Sequence, residues 1–167
     1  ANTYVSPIAI YSKKVRKPED LAAGARIGIP DDVPNQTRAL LVLHHYQLIR
    51  LKDGIDRYSG TITLADVVDN PKRFKLVELP STVLARTFEE LDAAVIVNSF
   101  ASQVGLLATR DGIAIEPKDA NPYINVIAVR EQDKTAPWLP GLIAAYQSSE
   151  VRDFITKKYE GSVLPAF

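Results

Sequence analysis

The run Ala93-Ala94-Val95-Ile96-Val97 constrains the fold of this chain more than any other feature. An unbroken apolar run of this length suits a strand buried on both faces, and such strands lie inside sheets covered by helices on either side. Asn98-Ser99 ends the run abruptly. Tyr123 to Val129 reads as another strong strand, Arg26 to Pro30 as a short buried strand stopped by its proline, and Phe74 to Leu79 as a further one. Between them lie helical stretches. Asn35 as N-cap opens a helix to about Tyr46, with Ala39, Leu40, Leu43 and Tyr46 at helical spacing. Thr63 caps a short helix over 64–69, Thr87 and Glu90 fit a capping box, and after Asn98-Ser99-Phe100 a helix runs to Gly105. Thr135 and Pro137 open a helix to about Gln147. Ser148 or Ser149 caps the last helix, whose Val151, Phe154, Ile155 and Tyr159 share a face and which Gly161 stops. Strands alternating with helices predict an α/β fold. Val5 to Tyr11, broken by Pro7, reads as an edge or crossover strand.

Composition narrows the function classes. The 167 residues carry 20 Lys+Arg against 20 Asp+Glu, a formal net charge of zero, which removes the bulk electrostatic case for nucleic acid or an anionic membrane as partner. With 46% hydrophobic residues the chain has the composition of an ordinary globular protein. Its longest apolar runs, such as Ala39 to Leu43, fall far short of the roughly 20 residues of a membrane span. Cysteine is absent, so there is no disulfide, thiolate nucleophile or Cys-ligated metal. Methionine is absent too, and Ala1 is therefore expected to lie downstream of a removed or omitted segment.

Enzyme constellations are missing. His44 and His45 are adjacent, so on a helix they point about 100° apart and cannot share a metal on one face. There is no G-x-S-x-G elbow, P-loop or G-x-G-x-x-G fingerprint. Binding constellations are better supported, because open α/β sheets hold ligands outside the carboxyl ends of their strands. Arg38, in the opening turns of the helix after Arg26 to Pro30, is placed to join the helix's free N–H groups in holding a carboxylate, or else is a solvated arginine. Asn98 and Ser99 follow the central strand directly, as ligand contacts or as simple caps. Asn125 is a polar residue inside an apolar strand and needs a partner or a sheet edge.

The motifs, taken in order, resemble one family. Ser6-Pro7-Ile8-Ala9-Ile10-Tyr11-Ser12-Lys13-Lys14, Ile29-Pro30-Asp31-Asp32, Arg38-Ala39-Leu40-Leu41, Leu48-Ile49-Arg50-Leu51-Lys52-Asp53-Gly54, Ala101-Ser102-Gln103-Val104-Gly105-Leu106 and Pro122-Tyr123-Ile124-Asn125-Val126 are similar to the NlpA-type methionine-binding lipoproteins, substrate-binding proteins of bacterial ABC importers. The resemblance covers the whole chain. It implies a periplasmic-binding-protein type II architecture: two α/β lobes that close on ligand about a hinge, one lobe complete here and the other partial. Residues 1–10 would be the first crossover strand, 11–118 the second lobe, and 119–167 the return crossover with the carboxy-terminal part of the first lobe. The implied function is non-enzymatic binding of a small amino acid, methionine or a related compound or dipeptide. The partners would be an ABC permease and ATPase, with no cofactor, metal or nucleic acid. Localisation would be the periplasm or the outer face of the cytoplasmic membrane, through an upstream lipid anchor. The alternative is a ligand-sensing domain of a regulator with the same fold.

Residue by residue, Arg38 matches the family arginine for the ligand carboxylate, and Asn125 the asparagine of the P-Y-x-N run. Family members show asparagine directly after A-V-I, where this chain has Val97 and then Asn98. Either the strand end is remodelled so that Asn98 substitutes, or one ligand contact is lost. Phe100 stands where tyrosine is usual. The apolar faces of the carboxy-terminal segment (Val151, Phe154, Ile155; Ile124, Val126) are expected to need cover from elsewhere, including a possible homo-oligomer.

Overall fold

The computed structural model describes residues 1–56, 61–117 and 123–167. They divide into two compact units: residues 7–117, and residues 1–6 with those from 123 onward. The expected boundary between 118 and 119 lies outside the described residues, as does Pro122 of the P-Y-x-N run.

The larger unit is built on β2 (Ile8–Tyr11), β3 (Arg26–Pro30), β6 (Lys75–Leu79), β7 (Ala93–Val97) and β8 (Gly112–Ile115), which follow β1 (Asn2–Val5) in the numbering together with the small antiparallel pair β4 (Arg50–Leu51) and β5 (Val67–Asp69). The five strands run in the order β6-β3-β7-β2-β8. β3 is parallel to β6 and β7, whereas β2 is antiparallel to β7 and β8, so a single reversed strand sits within a sheet that otherwise runs one way. Period-2 alternation sorts its side chains. Ile8, Ile10, Ala93, Val95 and Val97 face a core completed by Ala39, Leu40, Val42 and Leu43 of helix α1 (Val33–His45). Ala9, Tyr11, Ala94 and Ile96 face the opposite core, with Leu84 and Ala85 of α2 (Ser81–Thr87) and Ala101 of α3 (Asn98–Ala101). Both faces of β2 and β7 are thereby covered, as the apolar run of β7 requires.

Several local expectations change. Of the edge and crossover alternatives, the edge is excluded for Ile8–Tyr11, which lies between β7 and β8, fully buried. Pro7 falls in the gap between β1 and β2, where its missing N–H interrupts no ladder. Helix α1 begins earlier than Asn35: Asp32 is the N-cap, accepting the Asn35 N–H at 3.1 Å, with Pro34 in the first turn. The segment after Thr63 makes only one 3-10 turn, Leu64–Asp66, before β5. Thr87 caps nothing, because it closes α2 and its hydroxyl donates back to the Val83 carbonyl at 3.1 Å. Neither α2 nor β8 was evident in the sequence.

The smaller unit pairs β9 (Ile124–Val126) and β10 (Leu164–Pro165) antiparallel on either side of β1. Between them in sequence run α5 (Leu139–Tyr146) and α6 (Ser149–Tyr159); α4 (Ala108–Asp111) belongs to the larger unit. Ser148 caps α6 by accepting the Val151 N–H, and Gly161 adopts positive φ just past its end. Ile155 is buried, but Val126, Trp138, Leu142 and Phe154 are exposed.

At the end of the larger sheet where β3 begins, one carboxylate ties three segments. Asp92 accepts from Lys14 Nζ and from the Arg26 N–H, each at 2.7 Å, while its own carbonyl accepts the Ser12 hydroxyl. The lysine bond first, and the Arg26 amide second, hold the Asp92 carboxyl below its ordinary range. A carboxyl depressed on folding stabilises the fold above the ordinary carboxylate range, and that contribution is lost as pH falls through the depressed value. Thermal melts taken from neutral pH into the acid range are expected to show a shallower acid decline in Asp92→Asn than in the parent chain; identical declines would contradict this assignment.

Candidate functional site

The strand directions gather chemistry at one edge of the larger sheet. β3, β6 and β7 end at Pro30, Leu79 and Val97, and α1, α2 and α3 start just beyond. β8 ends at the same edge, where β2 begins. Carboxyl ends of parallel strands with helix starts above them are where open α/β sheets place ligands. The chain also enters and leaves the larger unit here, at residues 7 and 117.

Arg38 is the sixth residue of α1 and is only 7% exposed. It is therefore not a solvated arginine. Its guanidinium meets the carboxylate of Glu116, itself 8% exposed, in a two-point contact: Nε donates to Oε1 at 3.0 Å and Nη2 to Oε2 at 2.5 Å. This fork-to-carboxylate geometry is the strong form of an ion pair. Glu116 is anchored a second time. Its backbone N–H donates to the Ile8 carbonyl at 2.9 Å, and the Ile8 N–H donates to Oε2 at 3.3 Å. Tyr46, just past the end of α1, adds a further tie, its hydroxyl donating to the Ile115 carbonyl at 2.8 Å. Helix α1 thus grips the end of β8 through two side chains.

The helix start is occupied by the protein's own groups. Asp32 Oδ1 takes the Asn35 N–H and side-chain amide, and Asp32 Oδ2 takes the Ser81 hydroxyl at 3.2 Å. Gln36 bridges the Pro30 carbonyl and Glu78. The expectation that free N–H groups of this helix join Arg38 in holding a carboxylate does not hold for Asn35, whose N–H is taken by Asp32.

Asn98 opens α3 and is 2% exposed. Val97 closes β7 and packs with the α1-side core. The chain turns into a helix between them, so the strict alternation of a strand ends at Val97, and Asn98 is placed by helix geometry instead. Arg38 and Asn98 thus share the carboxyl edge of the larger unit. Asn125 is in β9 of the smaller unit, exposed, with its side-chain amide donating to the Tyr4 carbonyl at 3.4 Å and its own carbonyl accepting the Thr3 hydroxyl at 2.7 Å. His44 accepts the Leu51 N–H at 3.3 Å and His45 stacks edge-on against Tyr46. Among the described residues no cluster of three His, Cys, Asp or Glu is arranged to hold a metal.

Glu116 escaped the sequence reading. The available signal was a charged residue closing the apolar run Ile113-Ala114-Ile115, directly before Pro117. Its partner lies 78 residues earlier, beyond any local pattern.

Removing one member of a buried pair strands the other charge, at a cost of about 3–5 kcal/mol, whereas replacing both with apolar groups costs far less. Arg38→Met is therefore expected to destabilise by about that amount, and Arg38→Met combined with Glu116→Leu by clearly less than either change alone. Denaturant unfolding of the three variants checks this, and additive losses would contradict it.

Comparison with known proteins places this geometry in a family. The profile described as NlpA lipoprotein matches residues 1–167. D-methionine-binding lipoprotein MetQ of Escherichia coli K12 is 41% identical over 165 residues, 98% of this chain and 59% of that protein. The structure of a nutrient binding protein from Burkholderia cenocepacia bound to methionine superposes with a TM-score of 0.90 at 43% identity, covering 99% of this chain and 68% of that one. An ABC transporter periplasmic substrate-binding protein from Coxiella burnetii gives 0.89 at 38% identity, covering 99% and 68%. The chain spans 57% to 59% of the curated relatives it matches. With a family profile matched from first residue to last, and solved relatives that superpose at TM-scores of 0.90 and 0.89 over 99% of this chain, the chain belongs to the NlpA lipoprotein family.

Proposed function

We propose that this chain is part of the substrate-binding protein of an ABC importer and takes methionine or a closely related amino acid or dipeptide. The observation that carries the reading is Arg38: a buried guanidinium, already engaged with a carboxylate, at the sheet edge where this fold class places ligands. Relatives described as methionine-binding, and one solved with methionine bound, support the ligand class. In this reading Arg38 anchors the ligand carboxylate, Asn98 contributes from the start of α3, and Asn125 contributes from β9. Ligand would be delivered to a permease driven by an ATPase, a role supported by the description of the Coxiella relative. The chemistry is binding without turnover, in keeping with relatives described as binding proteins. Localisation at the outer face of the cytoplasmic membrane through a lipid anchor is supported by the family's description as lipoproteins. Among the described residues no helix is long and apolar enough to cross a membrane.

The test is calorimetric titration of L- and D-methionine into protein expressed from the full reading frame that encodes this chain. A saturable one-to-one isotherm is expected for at least one isomer. Arg38→Lys keeps a positive charge beside Glu116 but loses the planar fork, so affinity is expected to fall by roughly tenfold or more with a small change in Tm. Unchanged affinity in Arg38→Lys would remove Arg38 from the site.

A further inference from the structure

The Arg38–Glu116 pair has a consequence for ligand choice that rests on the proposed function. A lone buried guanidinium would attract any small anion that reached it. This one is already balanced. Opposite charges held 2.5–3.0 Å apart largely cancel when felt from several ångströms away, so an incoming carboxylate gains little from the pair as a whole. A ligand that carries both a carboxylate and an ammonium group is different. It can align its own dipole against that of the pair, with the carboxylate toward Arg38 and the ammonium toward Glu116.

Glu116 is also held too firmly to step aside. Its carboxylate accepts the Ile8 N–H as well as the guanidinium, and its backbone N–H is bonded to the Ile8 carbonyl. Swinging away would leave a buried carboxylate, a buried guanidinium edge and a backbone donor all to be satisfied again. A ligand carboxylate therefore meets Arg38 with Glu116 in place rather than replacing it.

We propose that Glu116 is the specificity-determining residue of this site. Acting through Arg38 as a positioning group, it fixes the Nε–Nη2 edge of the guanidinium and balances its charge, so that the site selects zwitterions over simple anions.

The experiment compares L-methionine with 4-(methylthio)butanoate, which is methionine without its amino group, and with 3-(methylthio)propylamine, which lacks the carboxylate. All three are titrated into protein from the full reading frame and into Glu116→Gln, with melting curves recorded alongside. In the parent protein each analogue is expected to bind about 10- to 100-fold more weakly than methionine, because each lacks one of the two charges that align with the dipole of the Arg38–Glu116 pair. In Glu116→Gln the preference for methionine over the butanoate is expected to shrink to within about threefold. A purely structural role would weaken both ligands equally and leave that preference unchanged, and such a result overturns the proposal. Should Glu116→Gln fail to fold, the parent protein still decides: butanoate binding within about threefold of methionine overturns it. If the parent protein binds none of the three, the methionine reading fails, and this inference falls with it. If methionine binds but the preference does not depend on Glu116, only this inference fails.

Discussion

Burying a guanidinium is costly unless a carboxylate meets it with good geometry, and Arg38 satisfies that condition only because two distant parts of the chain meet at one sheet edge. Helix α1 has to follow β3 over the sheet, and β8 has to pair with β2 so that Glu116 arrives beside Ile8. The reversed strand β2 is what makes this possible. Running against β7 and β8, it brings the segment entering the larger unit to the same edge at which β8 leaves it. The ion pair, the Ile8 hydrogen bonds and the Tyr46 tie then close that edge around a charge-balanced centre. The opposite end of the sheet is held by a different carboxylate, Asp92, which works in the open with a lysine and a backbone amide. One end is a half-exposed staple and the other a buried pair at the position suited to ligand.

Much of this architecture was legible in the sequence where the signal was local. The apolar run Ala93 to Val97 declared a strand covered on both faces, and its neighbours divide between two cores with the expected alternation. Arg26 to Pro30 forms the strand its composition suggests, and Ser148 caps the last helix as a serine before an amphipathic stretch should. Local rules failed where tertiary context decided. Pro7 argues for an edge, but it lies between two strands, so the ladder of Ile8–Tyr11 is unaffected. The Thr87–Glu90 spacing fits a capping box, but a helix is already running when the chain reaches Thr87. Asp32 outcompetes Asn35 as cap because Pro34 belongs in the first turn.

The candidate site shows the same division. Arg38 and Asn98 were marked by position, each just beyond a strand that ends at the carboxyl edge. Glu116 carried only a weak local mark, a charge closing an apolar run before Pro117, and its partner 78 residues away lies outside any window of sequence. The smaller unit adds a constraint of another kind. On α6, Val151, Phe154, Ile155 and Tyr159 read as one face, yet Ile155 is buried and Phe154 is exposed, because adjacent helix positions point about 100° apart.

The most direct measurement is a crystal structure of the protein from the full reading frame, grown with L-methionine. The expected result is a ligand carboxylate within hydrogen-bonding distance of Arg38, with Glu116 still bridging Nε and Nη2. Methionine bound away from the edge formed by Pro30, Val97 and Glu116, or bound there with no contact to Arg38, would contradict the account.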